Sequence, residues 1–175
     1  MNKTLRRLLI ITPALLLIPG LLIAGCSSDS QSPSIATIGK PAPDFTLQNL
    51  DGESVSFSDL RGSPVMINFW NTGCPPCRNE MPYLQEVYEE NRDTGLVLLT
   101  INIGQSVSTV KDFLEENDLA LPVLLDSDGD VTQRYGMPGI PTTFFIDRDG
   151  ILRVKVIGGF PTKAAIDSRL SEIMS

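Results

Sequence analysis

Two cysteines placed where a buried strand gives way to a helix constrain this chain more than any other feature of its sequence. Residues 65–70 form a short, mainly apolar run, which is typical of a strand buried on both faces. The segment from Cys74 to Cys77 reads Cys-Pro-Pro-Cys and opens residues 75–91, where apolar side chains recur at helical spacing. The pattern therefore favours an α/β domain with both sulfurs at the first turn of a helix.

The position of the cysteine pair predicts redox chemistry. The N-terminus of a helix carries a partial positive charge and free N–H groups, which stabilise the thiolate that acts as the nucleophile. We expect Cys74 to lie at the exposed end of the helix, where it attacks the disulfide of a partner protein, and Cys77 to lie deeper and resolve the mixed disulfide. A purely structural disulfide is the alternative for a protein outside the cell.

Composition excludes several other chemistries. The chain contains no histidine, which rules out histidine-based acid–base catalysis, a Ser-His-Asp triad and histidine-ligated zinc. Arg78 follows the second cysteine, where covalent haem attachment requires histidine. After the first 25 residues the chain has ten more acidic than basic residues, so we expect no nucleic acid partner.

An Asp-x-Asp-x-Asp run at 126–130 mimics the start of a calcium-binding loop. Met137 stands where a glutamate would complete such a loop, so a turn in which Asp130 caps a short helix is the preferred interpretation. The sequence thus predicts neither a metal nor another cofactor.

The first 38 residues have the pattern of a targeting signal followed by a flexible tether. Three basic residues precede an apolar run that ends in Ile-Ala-Gly directly before Cys26. This arrangement resembles the lipobox of bacterial lipoproteins, which predicts a cleaved signal peptide over 1–25 and a lipid on Cys26. Residues 26–38 are small and polar and predict a flexible tether. An uncleaved transmembrane anchor is the alternative, and either would place residues 39–175 at the cell membrane on its extracytoplasmic face.

The remaining residues alternate between strand and helix patterns. Strands are predicted at 45–47, 55–57, 65–70, 96–103, 123–125, 142–146 and 151–157. Helices are predicted at 75–91, 107–117, 130–135 and 163–174, with a short helical turn at 58–62. Turn residues join the first two and the last two strands as hairpins. Such an order implies a parallel sheet covered on both faces by helices, to which the last hairpin adds antiparallel strands.

Several motifs follow one another in a fixed order along the domain. They lie at 39–45, 70–77, 80–82, 126–129 and 135–147. Together they resemble the thioredoxin superfamily, and within it the TlpA/ResA-like membrane-anchored thiol-disulfide oxidoreductases with a redoxin/AhpC-TSA-like domain. The resemblance implies a thioredoxin-like α/β fold, in which helices flank a central mixed sheet. It also implies an N-terminal β-hairpin and an inserted helix and strand at 107–125.

The same resemblance implies where a substrate binds. Pro141 is expected to be a cis-proline beside the cysteines, with neighbouring backbone that pairs with the bound substrate. Trp70 and Ile140 are expected to bind substrate with it.

Glu80 is implied to take part in catalysis. It lies three residues after Cys77, and a partly buried carboxylate there would have a raised pKa and exchange protons with a thiol. Thioredoxins proper usually hold an aspartate six residues before the first cysteine, where this chain has Asn68, which cannot titrate. An ordinary surface glutamate, favoured in the first turns of a helix by the dipole, is the alternative.

The resemblance implies a monomeric, membrane-anchored enzyme that reduces disulfides of cell-envelope proteins, for example in cytochrome c maturation. A membrane thiol donor would supply its electrons. One alternative is a peroxiredoxin-like antioxidant, since that family shares the segment 41–47, although Asn71 stands where its threonine is expected. The other is a non-catalytic tethered binding module in which the cysteine pair forms only a structural disulfide.

Overall fold

A computed structural model of the chain describes residues 35–174. Within them lie seven strands: β1 (Thr46–Asn49), β2 (Ser54–Ser56), β3 (Val65–Trp70), β4 (Val97–Ile103), β5 (Val123–Asp126), β6 (Thr142–Ile146) and β7 (Leu152–Ile157). The helices are α1 (Pro75–Asn91), α2 (Val107–Glu116), α3 (Asp130–Arg134) and α4 (Lys163–Leu170), with a 3₁₀ turn at Phe57–Leu60. The predicted order of elements is confirmed, and β3, α1 and β6 have the predicted bounds.

The strands form one mixed sheet in the order β2-β1-β5-β4-β3-β6-β7. β3, β4 and β5 are parallel, as strands joined by the crossover helices α1 and α2 must be. β6 runs antiparallel to β3 and continues into the hairpin with β7, while β1 of the N-terminal hairpin runs antiparallel to β5. The carboxyl ends of β3 and β4 therefore meet at the edge of the sheet where α1 begins.

β3 is buried along its whole length and divides the core into two parts. Met66 and Trp70 pack with α1, α2 and α4 on one face of the sheet. Ile67 and Phe69 pack on the other face with α3 and the segment that precedes β1. Because successive side chains of a strand point to opposite faces, Asn68 lies on the same face as α1.

One residue of the predicted tether contacts the domain. Ala36 is buried and its amide donates to the carbonyl of Arg134 at 3.1 Å, while Ile35 and Ile38 are more than half exposed. The boundary at residue 39 stays a prediction. The signal peptide predicted at 1–25, Cys26 and the tether up to residue 34 lie outside the described residues. In the part of the chain that is described, no helix combines the length and apolarity needed to cross a bilayer.

α4 ends at Leu170, four residues before the predicted end of the helix. The amides of Ile173 and Met174 both donate to the Leu170 carbonyl, at 3.0 and 3.1 Å, so the chain turns there instead of continuing as helix. Ile173 is still buried, as its spacing predicted, in the core cluster that contains residues of α1 and α4.

Candidate active site

Cys74 and Cys77 form a disulfide at the start of α1, with an S–S distance of 2.08 Å. Cys74 is 8% exposed and Cys77 is 0% exposed, so the first cysteine keeps a small accessible area and the second has none. This is the order expected from their places on the first turn. An incoming thiol or disulfide can therefore reach only Cys74 without a rearrangement of the helix.

The start of α1 is built to stabilise charge on Cys74. Cys74 is the N-cap residue, and its Sγ accepts the amide of Cys77 at 3.2 Å. Pro75 and Pro76 have no N–H, so the Cys77 amide is the first donor that the helix offers. A thiolate formed at Cys74 would keep this contact and add the attraction of the helix dipole.

A polar contact that the sequence analysis missed holds the loop before Cys74. The amide of Thr72 donates to Gln105 Oε1 at 2.9 Å, and Gln105 Nε2 donates back to Thr72 Oγ1 at 2.7 Å. Asn102 Nδ2 donates to the same Gln105 oxygen at 2.9 Å. Asn102 lies near the carboxyl end of β4 and Gln105 follows that strand, both next to the end of β3, and this adjacency is the signal that could have pointed to them.

The loop before β6 lies in the conformation that the resemblance implied. The Ile140–Pro141 peptide bond is cis, Pro141 is buried and Ile140 is half-buried. Thr142 Oγ1 donates to the Gly139 carbonyl at 2.7 Å, and the Gly158 amide donates to the Pro141 carbonyl at 2.9 Å. These contacts fix the loop from both sides. That Ile140 and Pro141 bind substrate stays a prediction.

Trp70 does not fit its predicted role as a substrate-binding residue. Its side chain is 0% exposed and packs against Phe113 of α2, with ring centroids 5.3 Å apart. A side chain at the end of a strand buried on both faces has no surface left to contact a partner protein. Trp70 therefore supports the cysteine loop from within the core.

Glu80 is buried, so the alternative of an ordinary surface glutamate is wrong. Its Oε1 accepts Asn68 Nδ2 at 2.9 Å, and its Oε2 accepts the amide of Phe160 at 2.9 Å. Burial raises the pKa of Glu80 to about 7, while these two hydrogen bonds favour the carboxylate and limit the rise. The group can therefore hold or release a proton near neutral pH, one helical turn after Cys77.

Asn68 and Thr143 complete the surroundings of Glu80. They face each other across β3 and β6, and Asn68 Nδ2 donates to Thr143 Oγ1 at 2.9 Å. In the sequence, Asn68 stands out only as a residue that cannot titrate, and no pattern points to Thr143. Their partnership depends on the pairing of β3 with β6, which the linear sequence does not specify.

The acidic run at 126–130 has a structural role. The carboxylate of Asp126 accepts the amides of Val131 and Thr132, at 3.2 and 2.8 Å, and the Thr132 hydroxyl at 2.6 Å. Asp126, and not Asp130 as predicted, therefore supplies the side-chain cap of α3. No group of three or more metal-ligating side chains occurs between residues 35 and 174.

Comparisons with known proteins agree with this geometry. A family model described as the AhpC/TSA family matches residues 38–155. The chain is 39% identical over 136 residues to the thiol-disulfide oxidoreductase ResA of Geobacillus thermodenitrificans, which is 78% of each protein. It is 36% identical over 135 residues to ResA of Bacillus subtilis, which is 77% of this chain and 75% of that protein.

Solved structures show the same fold. A putative thiol:disulfide interchange protein DsbE from Chlorobium tepidum superimposes with a TM-score of 0.74 at 29% identity, covering 81% of this chain and 100% of that one. StoA from Bacillus subtilis superimposes with a TM-score of 0.64 at 30% identity, covering 74% of this chain and 97% of that one. The thioredoxin-like fold expected from the sequence motifs is confirmed.

Proposed function

We propose that this chain, which belongs to the AhpC/TSA family, reduces disulfides of cell-envelope proteins outside the cytoplasm. It is a protein-disulfide oxidoreductase of thioredoxin-like fold. The observation that carries the proposal is the Cys74–Cys77 disulfide at the start of α1, in which Cys74 is slightly exposed and Cys77 is fully buried. A lipid on Cys26 would hold the domain at the membrane surface, where such substrates are found.

The exchange runs through a mixed disulfide. In the reduced protein the Cys74 thiolate attacks one sulfur of the substrate disulfide, and the other substrate sulfur leaves as a thiolate. Cys77 then loses its proton and attacks Cys74, which releases the second substrate thiol and forms the disulfide seen in the structure. Two electrons pass to the substrate, and a dithiol donor in the membrane returns Cys74 and Cys77 to thiols.

Glu80 supplies and receives the proton of this cycle. The carboxylate is buried one turn from Cys77 and has a pKa of about 7, which matches proton exchange at neutral pH. Cys77 is fully buried, so a base inside the protein is needed to take its proton before the resolving step. Glu80 is placed for that task.

The haem-binding cysteines of apocytochrome c are the substrate class that we propose. These cysteines must be thiols before haem can be attached, so any disulfide between them has to be reduced first. A monomer suffices for this reaction, because both cysteines and Glu80 come from one chain.

The first experiment tests the order of the two cysteines. Cys77→Ala should accumulate a mixed disulfide with a model substrate such as oxidised CxxCH peptide, because Cys74 can still attack while nothing resolves the product. Cys74→Ala should give no adduct, and both variants should lose turnover. If Cys74→Ala trapped the peptide instead, the assigned roles would be reversed. Consumption of hydrogen peroxide by wild type at a rate similar to peptide reduction would favour the antioxidant alternative.

The second experiment tests Glu80 through the alkylation rate of Cys74 as a function of pH. In wild type, two interacting groups titrate together, so the profile should show more than one apparent pKa. Glu80→Gln should show fewer steps and should react more slowly with the disulfide substrate near neutral pH. Glu86→Gln, which changes an exposed glutamate of the same helix, is the matched control and should follow wild type. Superimposable profiles for Glu80→Gln and wild type would remove Glu80 from the mechanism.

A further inference from the structure

Three buried polar side chains from three elements meet on the α1 face of the sheet. Asn68 comes from β3, Glu80 from α1 and Thr143 from β6, and each is 0% exposed. Asn68 and Thr143 occupy opposed positions of the β3–β6 ladder, so their side chains leave the sheet together. The cluster is thus held by two paired central strands and the first turns of α1.

The hydrogen bonds of Asn68 suit one protonation state of Glu80. Asn68 Nδ2 lies 2.9 Å from both Glu80 Oε1 and Thr143 Oγ1, so its two hydrogens meet two acceptors. Asn68 Oδ1 is buried and has no hydrogen-bond partner within residues 35–174. A carboxylate at Glu80 accepts the hydrogen bond that Asn68 Nδ2 donates. A carboxylic acid that carried its proton on Oε1 would place a donor against a donor.

A half-turn of the amide removes that conflict. It puts Oδ1 of Asn68 where Nδ2 now lies, and Oδ1 can then accept the O–H of protonated Glu80. The hydroxyl of Thr143 accepts in the first orientation and donates in the second, because a hydroxyl can do both. Each orientation leaves only one end of the Asn68 amide without partners.

We propose that Asn68 is a positioning residue whose side-chain amide reverses each time Glu80 gains or loses its proton, with the Thr143 hydroxyl as the partner that fits both orientations. The inference rests on the proposed role of Glu80 as proton carrier. When a thiol gives its proton to Glu80, one thiolate and one carboxylic acid result, and the reverse step restores both groups. Asn68 itself neither gains nor loses a proton.

The other surroundings of Glu80 leave Asn68 as its adaptable partner. Oε2 is held by the Phe160 amide, which can only donate. No lysine or arginine forms a salt bridge with Glu80 among the described residues. Arg78, two residues before Glu80 on α1, is exposed, and its guanidinium lies over the Phe113 ring, 5.7 Å from the centroid. Cys77 and Cys74 precede it on the helix and do not titrate while they form the disulfide. In the oxidised protein, a pH-dependent change at Asn68 therefore reports Glu80.

The direct test is NMR of the Asn68 side-chain amide in the oxidised full-length chain, held in detergent micelles. The Asn68 Nδ2 proton signals, identified by their loss in Asn68→Leu, should lie downfield at high pH, where both protons are hydrogen-bonded. They should move upfield with a midpoint of about 7, together with the carboxyl carbon of Glu80. Glu80→Gln should hold them at the upfield position at every pH, because its new amide donates to Oδ1 as the acid does.

Thr143→Val and Thr143→Ser form a matched pair. Valine keeps the branched shape without the hydroxyl, so at high pH one of the two Asn68 proton signals should lose its downfield shift. Serine restores the hydroxyl and should restore the signal. A packing effect alone would not follow the hydroxyl in this way.

The outcomes separate this inference from the proposed function. Asn68 signals that stay fixed while the Glu80 carbon titrates would overturn the reversal, whether or not the protein exchanges disulfides. Signals that titrate with Glu80 and stay upfield in Glu80→Gln would support it. If they did so in a protein whose thiol chemistry is unchanged by Glu80→Gln, the reversal would stand as a property of the buried cluster and the proton-carrier role would fail.

Discussion

Replacing Glu80 with glutamine should make the stability of the oxidised protein less dependent on pH. Burial raises the pKa of Glu80 from the ordinary value of 4.5 to about 7 in the folded protein. Between these values the folded protein keeps the proton while the unfolded chain releases it. The free energy of unfolding is therefore highest below the unfolded pKa, falls as the pH rises, and has lost the whole contribution above about 7.

The size of the effect follows from the two pKa values. At about 1.4 kcal/mol for each pH unit, the shift from 4.5 to about 7 corresponds to about 3 kcal/mol of stability. The hydrogen bonds from Asn68 and from the Phe160 amide already act against the rise, so they are included in this figure. Glutamine cannot titrate, so the Glu80→Gln variant should lack this pH-dependent contribution to the free energy of unfolding.

Urea unfolding of wild type and Glu80→Gln at a series of pH values, from about 4 to about 8, measures this contribution. Over that range the free energy of unfolding of wild type should fall by about 3 kcal/mol more than that of the variant. The disulfide does not titrate and so adds nothing to the difference. Glu86→Gln, exposed on the same helix, should run parallel to wild type. Parallel curves for wild type and Glu80→Gln would refute the claim that the carboxyl is protonated because it is buried.

Two further changes test other parts of the molecule. Cys26→Ala should release the protein from the membrane fraction and leave the redox activity of the chain intact, whereas unchanged membrane partition would favour an uncleaved anchor. Gly159→Ala should move the Glu80 step of the Cys74 alkylation profile to higher pH, because the added Cβ would lie 3.0 Å from the Pro76 carbonyl and disturb the neighbouring Phe160 bond to Glu80. Gly139→Ala, with no atom within 4 Å of its added Cβ, is the control and should leave the profile where it is.

Much of the fold could be predicted from local patterns in the sequence. The apolar run of β3 and the helical spacing of α1 are set by neighbouring residues, so both elements have the predicted bounds. The cysteine pair could be found for the same reason, since strand, motif and helix follow one another along the chain. Periodicity does not determine where a helix ends, so the helix predicted at 163–174 was longer than α4 in the structure.

The parts that could not be predicted depend on contacts between distant segments. The cap of α3 was assigned to Asp130 because that residue is adjacent, yet Asp126 reaches it across the turn. The resemblance implied that Trp70 binds substrate, but the packing of α2 covers its side chain. Thr143 reaches Asn68 only when β6 pairs with β3. The Phe160 amide, 80 residues from Glu80 in the chain, reaches its carboxylate from the segment that follows β7.

The geometry around Glu80 explains why this site carries one acid and not two. Asn68 occupies the position where thioredoxins proper hold an aspartate, and its Nδ2 lies 2.9 Å from the Glu80 carboxylate. A second carboxylate there would be buried against the first, and two such groups cannot both be charged without a large rise in one pKa. With asparagine the strand position keeps a hydrogen-bonding group but no charge. Glu80, one turn after the buried Cys77, is then the single acid available for the proton transfer that we propose.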